Sequence, residues 1–273
     1  MSLANSLLIT DHHSPTMPIH PTAIVAASAK LAPDVEVGAY TVIGEEVEIA
    51  AGTWVGPHAV INGPSRIGQN NKIYQFASVG DAPQDKKYKG ERTFLEVGDN
   101  NVIREYVTLN RGTAQGHGVT RIGNDNLFMA YAHVAHDCIV GDHCVIGHCT
   151  GLAGHVVLGD WVILGAYSGV HQFCKIGAHA FLGNNAAATR DVPPYVMAVG
   201  APAEPHHVNA EGLKRRGFTP EQIRNIQSAY RVLYRKGLKL ADAMRELDAA
   251  SATQPELKIF VEFIKASERS IVR

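Results

Sequence analysis

An aliphatic side chain returns at every sixth position of this chain, and that period admits very few folds. From Ile19 it runs through Val25, Leu31, Val37, Ile43, Ile49, Val55, Ile61, Ile67 and Ile73 to Val79, then resumes as Val97, Ile103 and Leu109. After a slip of one residue it continues from Ile122 and Phe128 through Val134, Val140, Ile146, Leu152, Leu158, Leu164, Val170 and Ile176 to Leu182. A helix repeats every 3.6 residues and a strand every 2, so neither accounts for six; a parallel β-helix of hexapeptides does. Glycine often follows the aliphatic residue, as at Gly38, Gly147 and Gly165, where a sharp turn needs positive φ or close backbone approach. Four residues after it the side chain is usually small, as at Ala59, Ala77, Ala132 and Cys138, so large and small residues share the interior. Three hexapeptides close one triangular coil, and residues 18 apart stack at about 4.8 Å. Such a stack needs covered ends.

The remaining sequence divides around the repeat. Residues 1–16 carry no period and read as a flexible leader; 17–190 are the β-helix; 191–273 are a connector and a C-terminal α-helical domain. Two loops interrupt the coil, 81–94 (DAPQDKKYKGERTF) and 111–120 (RGTAQGHGVT), and loops on a rigid scaffold commonly carry function. The repeat ends at 184–187. Paired prolines, Pro193 and Pro194, exclude a helix in the connector. Thr219, Pro220 and Gln222 form a helix start with a capping box, and Gly237 ends that helix. Two further helices are expected, from Leu240 to Leu247 and from Pro255 to Ile264, covering the open end of the coil.

Composition narrows the function. With 25 basic and 26 acidic residues the net charge is -1, which gives no bulk attraction to nucleic acid. There is no membrane-length apolar run and no signal peptide pattern, so a cytoplasmic protein is expected. Of the four cysteines, Cys138, Cys144 and Cys174 take the small interior position and Cys149 precedes a strand; all read as reduced thiols.

Seven of the 14 histidines fall between His133 and His179. Stacking by 18 places His136 under Gly154 and Gln172, Asp137 under His155, and Ala135 under Ala153 and His171. These residues cluster on one edge. An imidazole there can take a hydroxyl proton, the Gly154 amide can hold an oxyanion, and Asp137 can orient an imidazole. That set suits acyl transfer. His143 and His179 read as solvated turn residues. A second reading is a zinc-dependent hydration enzyme of the carbonic-anhydrase kind, with His143 and His148 supplying two ligands; spacing offers no third.

The segments YQFASVGDAPQDKKYKGE, AHVAHDCIVG, GLAGHV, GVHQFCKIG, DVPPYV and EGLKRRGF together resemble the UDP-N-acetylglucosamine O-acyltransferase family, from about residue 17 to the end. The resemblance implies a left-handed parallel β-helix, against the usual right-handed crossover, and a homotrimer with active sites in clefts between subunits. It implies transfer of an (R)-3-hydroxyacyl group from acyl carrier protein to the 3-hydroxyl of UDP-N-acetylglucosamine, the first step of lipid A biosynthesis. No cofactor is implied beyond the phosphopantetheine borne by acyl carrier protein, and no metal.

By motif, His136 would be the general base, Asp137 its support and Gly154 the oxyanion donor. His133, His155, His171 and Gln172 would line the cleft. Asp85 and Lys87 would contact the glucosamine or phosphate, and Asn209, Glu211, Arg215 and Arg216 match the family's binding segment. Lys214, Arg224, Arg231 and Arg235 could offer the acidic carrier a basic face. Asn184 matches the position that sets acyl length. It lies about 2.7 coils beyond His136, roughly 13 Å at about 4.8 Å per coil, which at about 1.3 Å per carbon favours donors of about 10–12 carbons.

Overall fold

A computed structural model describes residues 18–273; the expected leader lies outside the described residues. Strands of two to four residues, most of them ending on the periodic aliphatic side chains, pair in parallel and form the body of three sheets. The first runs from Ile24–Val25 to Ala187–Ala188, the second from Lys30–Leu31 to Lys175–Ile176, and the third begins at Glu36–Val37. Regular coils pair residues 18 apart, as Ile43 with Ile61 and Val134 with Leu152. Pairs are 30 apart across the first loop (Val79 with Leu109) and 25 apart across the second (Leu109 with Val134). The loops therefore add about two hexapeptides and one, without disturbing the stack.

The periodic residues form the core: Ile43, Ile61, Val79, Leu109, Val134 and Leu152 are all buried, each worth about 1.5–3 kcal/mol relative to exposure. Cys138, Cys144 and Cys174 are buried and free, and Cys149 is half-buried. Burial pushes the Cys138 and Cys144 thiols up to about 12.

The turns work differently from the simplest expectation. Positive φ falls on the third residue after the aliphatic one, and that residue is rarely glycine: Tyr131, Asp137, His155 and Phe173 have φ of 63°, 59°, 63° and 64°. The glycines directly after the aliphatic residue serve close approach instead. A Cβ on Gly147 would lie 2.6 Å from the Leu164 carbonyl oxygen. The strained third residues stack coil upon coil, and on the third-to-first-sheet edge Tyr40, His58, Phe76, Tyr106 and Tyr131 form an aromatic column with centroids 4.7–5.3 Å apart.

The repeat continues past 184–187, because Ala187–Ala188 still pairs with Gly169–Val170. The connector also contains Val196–Val199, which joins the third sheet and turns back as a hairpin with Glu204–Val208. Helix α1, Ala210–Arg215, was not expected. Helix α2, Pro220–Tyr234, carries the expected capping box. Helix α3, Leu240–Ser251, and α4, Lys258–Lys265, complete the region, the latter entered through a 3₁₀ turn at Pro255–Leu257. Leu213, Ile226, Leu233, Phe260 and Ile264 bury against the same core as Val192 and Val196, so the helices cover the last coil.

Candidate active site

Both loops leave the edge where the first sheet passes to the second, the edge that also carries His136, His155 and Phe173. His136 Nδ1 lies 2.9 Å from Asp137 Oδ2. Asp137 is fully buried and His136 is 16% exposed. The carboxylate is held by the second loop. It accepts from the Thr113 hydroxyl at 2.6 Å, the Thr113 amide at 3.0 Å and the His117 amide at 2.8 Å. Burial works to raise the Asp137 carboxyl, but these bonds, with that to His136, outweigh it and hold the group below the usual carboxylate range. Gly116 must be glycine for the loop to close, since a Cβ there would sit 2.4 Å from Asp137 Cγ.

The Asp137 carboxylate accepts a hydrogen bond from His136 Nδ1–H, a tautomer that leaves the Nε2 lone pair free to act as a base. Above it is Gly154, where a Cβ would lie 2.5 Å from His136 Cε1 and 2.7 Å from Nε2. The Gly154 amide finds no acceptor among the described residues. His155 caps the pair, edge-on to His136 at 5.1 Å and stacked on Phe173 at 4.4 Å. Burial holds the His155 imidazole below its ordinary value despite nearby Asp137, and burial followed by His136 does the same to His133.

Two spaces meet here. A cleft of about 630 Å³ is lined by His136, His155, Gln172 and Phe173, by Asp85 and Lys87 of the first loop, and by Thr113. Asp85 also accepts the Lys87 amide at 2.9 Å, which shapes the loop tip. An apolar groove of about 440 Å³ runs up the outer face of the first sheet, from His133 past Gly151, Ala153, Gly169 and His171 to Ala187. A Cβ at Gly151 or Gly169 would meet nothing within 4 Å, so their lack of side chains opens the lane.

Other expected site residues lie elsewhere on the chain. Asn184 is on the third-to-first-sheet edge, where its Oδ1 accepts the Ala166 amide at 3.0 Å. Asn209 caps α1 and donates to the His179 carbonyl at 3.0 Å. Glu211 pairs with Arg215 on the surface. Arg216 lies over Trp161 and 3.2 Å from His179 Nδ1, on the second-to-third-sheet edge. His179 is therefore not solvated; burial, then Arg216, holds it down to about 4. His143 stacks on Trp161 at 4.1 Å, whereas His148 stands between Tyr131 and Tyr167 on another edge. The pair considered for zinc is thus divided between two edges. His136, Asp137 and His155 do offer ligand atoms within 4.8 Å of one another. The Asp137 oxygens, however, are committed to Thr113, His117 and His136, a set that suits an imidazole partner better than a metal ion. Thr113 and His117 drew no role from spacing; the phase slip at their loop was the available signal.

Comparison with known proteins agrees with this geometry. Residues 191–272 match the family model described as UDP-N-acetylglucosamine O-acyltransferase, domain 2, and residues 120–154 match that for the bacterial transferase hexapeptide. The acyl-[acyl-carrier-protein]–UDP-N-acetylglucosamine O-acyltransferase of Thiobacillus denitrificans is 55% identical over 255 residues, covering 93% of this chain and 99% of that protein. That of Stutzerimonas stutzeri is 52% identical over the same shares. Among solved structures, LpxA from Acinetobacter baumannii superposes with a TM-score of 0.92 at 46% identity, covering 94% of this chain and all of that one. The UDP-N-acetylglucosamine acyltransferase of Francisella novicida also gives 0.92, at 44% identity over 93% of this chain and 94% of that one. With full-length relatives above half identity, a hexapeptide β-helix and a capping helical region, the chain belongs to the UDP-N-acetylglucosamine O-acyltransferase family.

Proposed function

We propose that this chain transfers an (R)-3-hydroxyacyl group from acyl carrier protein to the 3-hydroxyl of UDP-N-acetylglucosamine, the first step of lipid A biosynthesis, with His136 as general base. The observation that carries the reading is His136, held by a buried carboxylate through Nδ1 and covered by the side-chain-free Gly154. His136 Nε2 takes the sugar hydroxyl proton as that oxygen attacks the thioester carbonyl. The Gly154 amide receives the negative charge on the carbonyl oxygen. Collapse of the tetrahedral intermediate breaks the C–S bond, and the imidazolium returns its proton to the departing thiolate. Asp137 stabilises the imidazolium between these steps.

The surroundings fit two unlike substrates. Asp85, Lys87, His155 and Gln172 give the polar cleft for the nucleotide sugar. The groove between His133, His171 and Ala187 takes the acyl chain. Asn184 and Arg216 lie against other edges, Asn209, Glu211 and Arg215 at helix α1, and all five reach such a cleft only across a contact with another copy, which favours the homotrimer. Lys214, Arg224, Arg231 and Arg235 are exposed for the acidic carrier. No helix among the described residues is long and apolar enough to cross a membrane, in keeping with cytoplasmic substrates.

The test is transfer from a series of 3-hydroxyacyl carrier proteins to UDP-N-acetylglucosamine, with the ester position read by NMR. A 3-O-acyl product supports the assignment; no ester with any donor length overturns it.

A further inference from the structure

The first loop carries Asp85 and Lys87 to the cleft proposed for the nucleotide sugar, yet from Ala82 to Thr93 it belongs to no strand. Its far end is held at the surface by the exposed pair of Arg92 and Glu46, a kind of contact that constrains little in water. Its near end and its tip are held by one side chain of the second loop. Arg111 is half-buried. Its Nη1 donates to the Gly63 carbonyl at 2.8 Å and to the Gly80 carbonyl at 2.5 Å, and its Nη2 donates to the Tyr88 hydroxyl at 3.3 Å.

Each acceptor has a place in the loop's geometry. Val79 pairs with Leu109 and Asp81 with Asn110, so the register skips Gly80. Gly80 takes φ of 80°, and a Cβ there would lie 2.1 Å from the Asn62 carbonyl oxygen, so this bulge needs glycine. Tyr88 passes the constraint on to the tip. Its hydroxyl donates to the Glu91 carbonyl at 2.8 Å, and its amide donates to the Asp85 carbonyl at 3.0 Å. Asp85 Oδ1 in turn accepts the Lys87 amide. The backbone closes the arrangement. The Arg111 amide donates to the Asp81 carbonyl at 3.0 Å and the Gly112 amide to the Phe94 carbonyl at 3.1 Å, so the start of the second loop holds both ends of the first. Two residues on, Thr113 holds Asp137.

The three acceptors of the Arg111 side chain are two carbonyls and a hydroxyl, so its task is one of shape rather than charge pairing. A planar guanidinium donates in several fixed directions at once, which a lysine ammonium on its flexible stem does not. We infer that Arg111 is a positioning residue for the sugar-binding loop: its fork, acting through Tyr88, sets Asp85 and Lys87 toward the cleft, and its backbone joins that loop to the one that fixes the base. The inference rests on the acyltransferase reading and deepens it.

The test is steady-state kinetics on wild type, Arg111→Lys, Tyr88→Phe and the double variant, with thermal melting to show that each is folded at the assay temperature. Arg111→Lys keeps the charge and loses the fork. It is expected to raise KM for UDP-N-acetylglucosamine about tenfold, with kcat and KM for the acyl donor little changed. Tyr88→Phe removes one acceptor and is expected to raise the same KM about threefold. The double variant is expected to match Arg111→Lys alone, because both changes break one connection. An unchanged KM in Arg111→Lys, equal losses for both substrates, or additive effects in the double variant would overturn the inference while wild-type turnover upholds the reading beneath it. If Arg111→Lys does not fold, an unchanged KM in Tyr88→Phe overturns it by itself. No wild-type turnover with any donor would overturn the underlying reading, and this one with it.

Discussion

The Thr113 hydroxyl donates to Asp137 Oδ2 at 2.6 Å, the same oxygen that faces His136 Nδ1 at 2.9 Å. A residue in an inserted loop therefore fixes the carboxylate that fixes the base. Thr113→Val removes the hydroxyl while keeping the shape. It is expected to lower kcat about tenfold, the worth of a hydrogen bond to a charged group, with little change in KM; Thr113→Ser is expected to restore most of the rate. Steady-state kinetics on both variants check this, and an unchanged kcat in Thr113→Val would remove the loop from the account.

Gly154 tests the stacking of coils. A methyl group there would lie 2.5 Å from the His136 ring, so the imidazole must turn away. Gly154→Ala is expected to lower kcat about 100-fold, as displacement of a catalytic group by about 1 Å does, with the melting temperature much less affected. A comparable loss of stability would mean that the coil, not the base, absorbs the change.

Acyl length has two candidate determinants. The lane from His133 to Ala187 spans three coils, about 14 Å at 4.8 Å each, in keeping with donors of about 10–12 carbons. Gly169→Leu places a side chain in the lane, and rates with long donors are expected to fall far more than those with short ones. Asn184→Gly is expected to shift preference toward longer donors if a neighbouring copy brings Asn184 to the end of the lane. A donor series with both variants separates the two; no shift with Asn184→Gly would remove Asn184 as the stop.

Stability is expected to fall on mild acidification. His179 is held down to about 4 in the folded protein, against an ordinary 6.5. Between these values the unfolded chain binds a proton that the folded chain does not, so stability drops as pH falls across that window. The full effect would be about 3 kcal/mol, less here because His179 is only half-buried. Urea midpoints between pH 7 and 4 should fall less steeply for His179→Gln than for wild type; identical slopes would contradict the assignment. Asp137, held low in the folded state, adds a further loss below the usual carboxylate range.

The coil was legible in the sequence because its period is set by local geometry: each aliphatic residue from Val37 to Leu182 faces the same interior. The stacking of His136 under Gly154 followed from the same rule, since no loop falls between them. Three things were not legible. The loop contacts of Thr113 and His117 depend on how an aperiodic segment folds back, which period cannot give. The strand Val196–Val199 lies in a proline-rich stretch whose pairing with Phe181–Leu182 is set by the coil beneath. The placing of Asn184 on another edge follows from its position in the coil, but its expected axial distance omitted the width of the sheet between it and His136; Arg216, at the end of α1, reaches Trp161 and His179 only through the way the helices fold back, which period cannot give.

The central claim is that His136 is the base of an acyl transfer that needs no metal. The most direct measurement is transfer from a 3-hydroxyacyl carrier protein to UDP-N-acetylglucosamine by wild type and His136→Ala, each with a metal chelator. The account predicts undiminished wild-type turnover and a loss of at least about 100-fold in a folded mutant, the lower range for removing a general base. Turnover abolished by the chelator, or retained by His136→Ala, would contradict it.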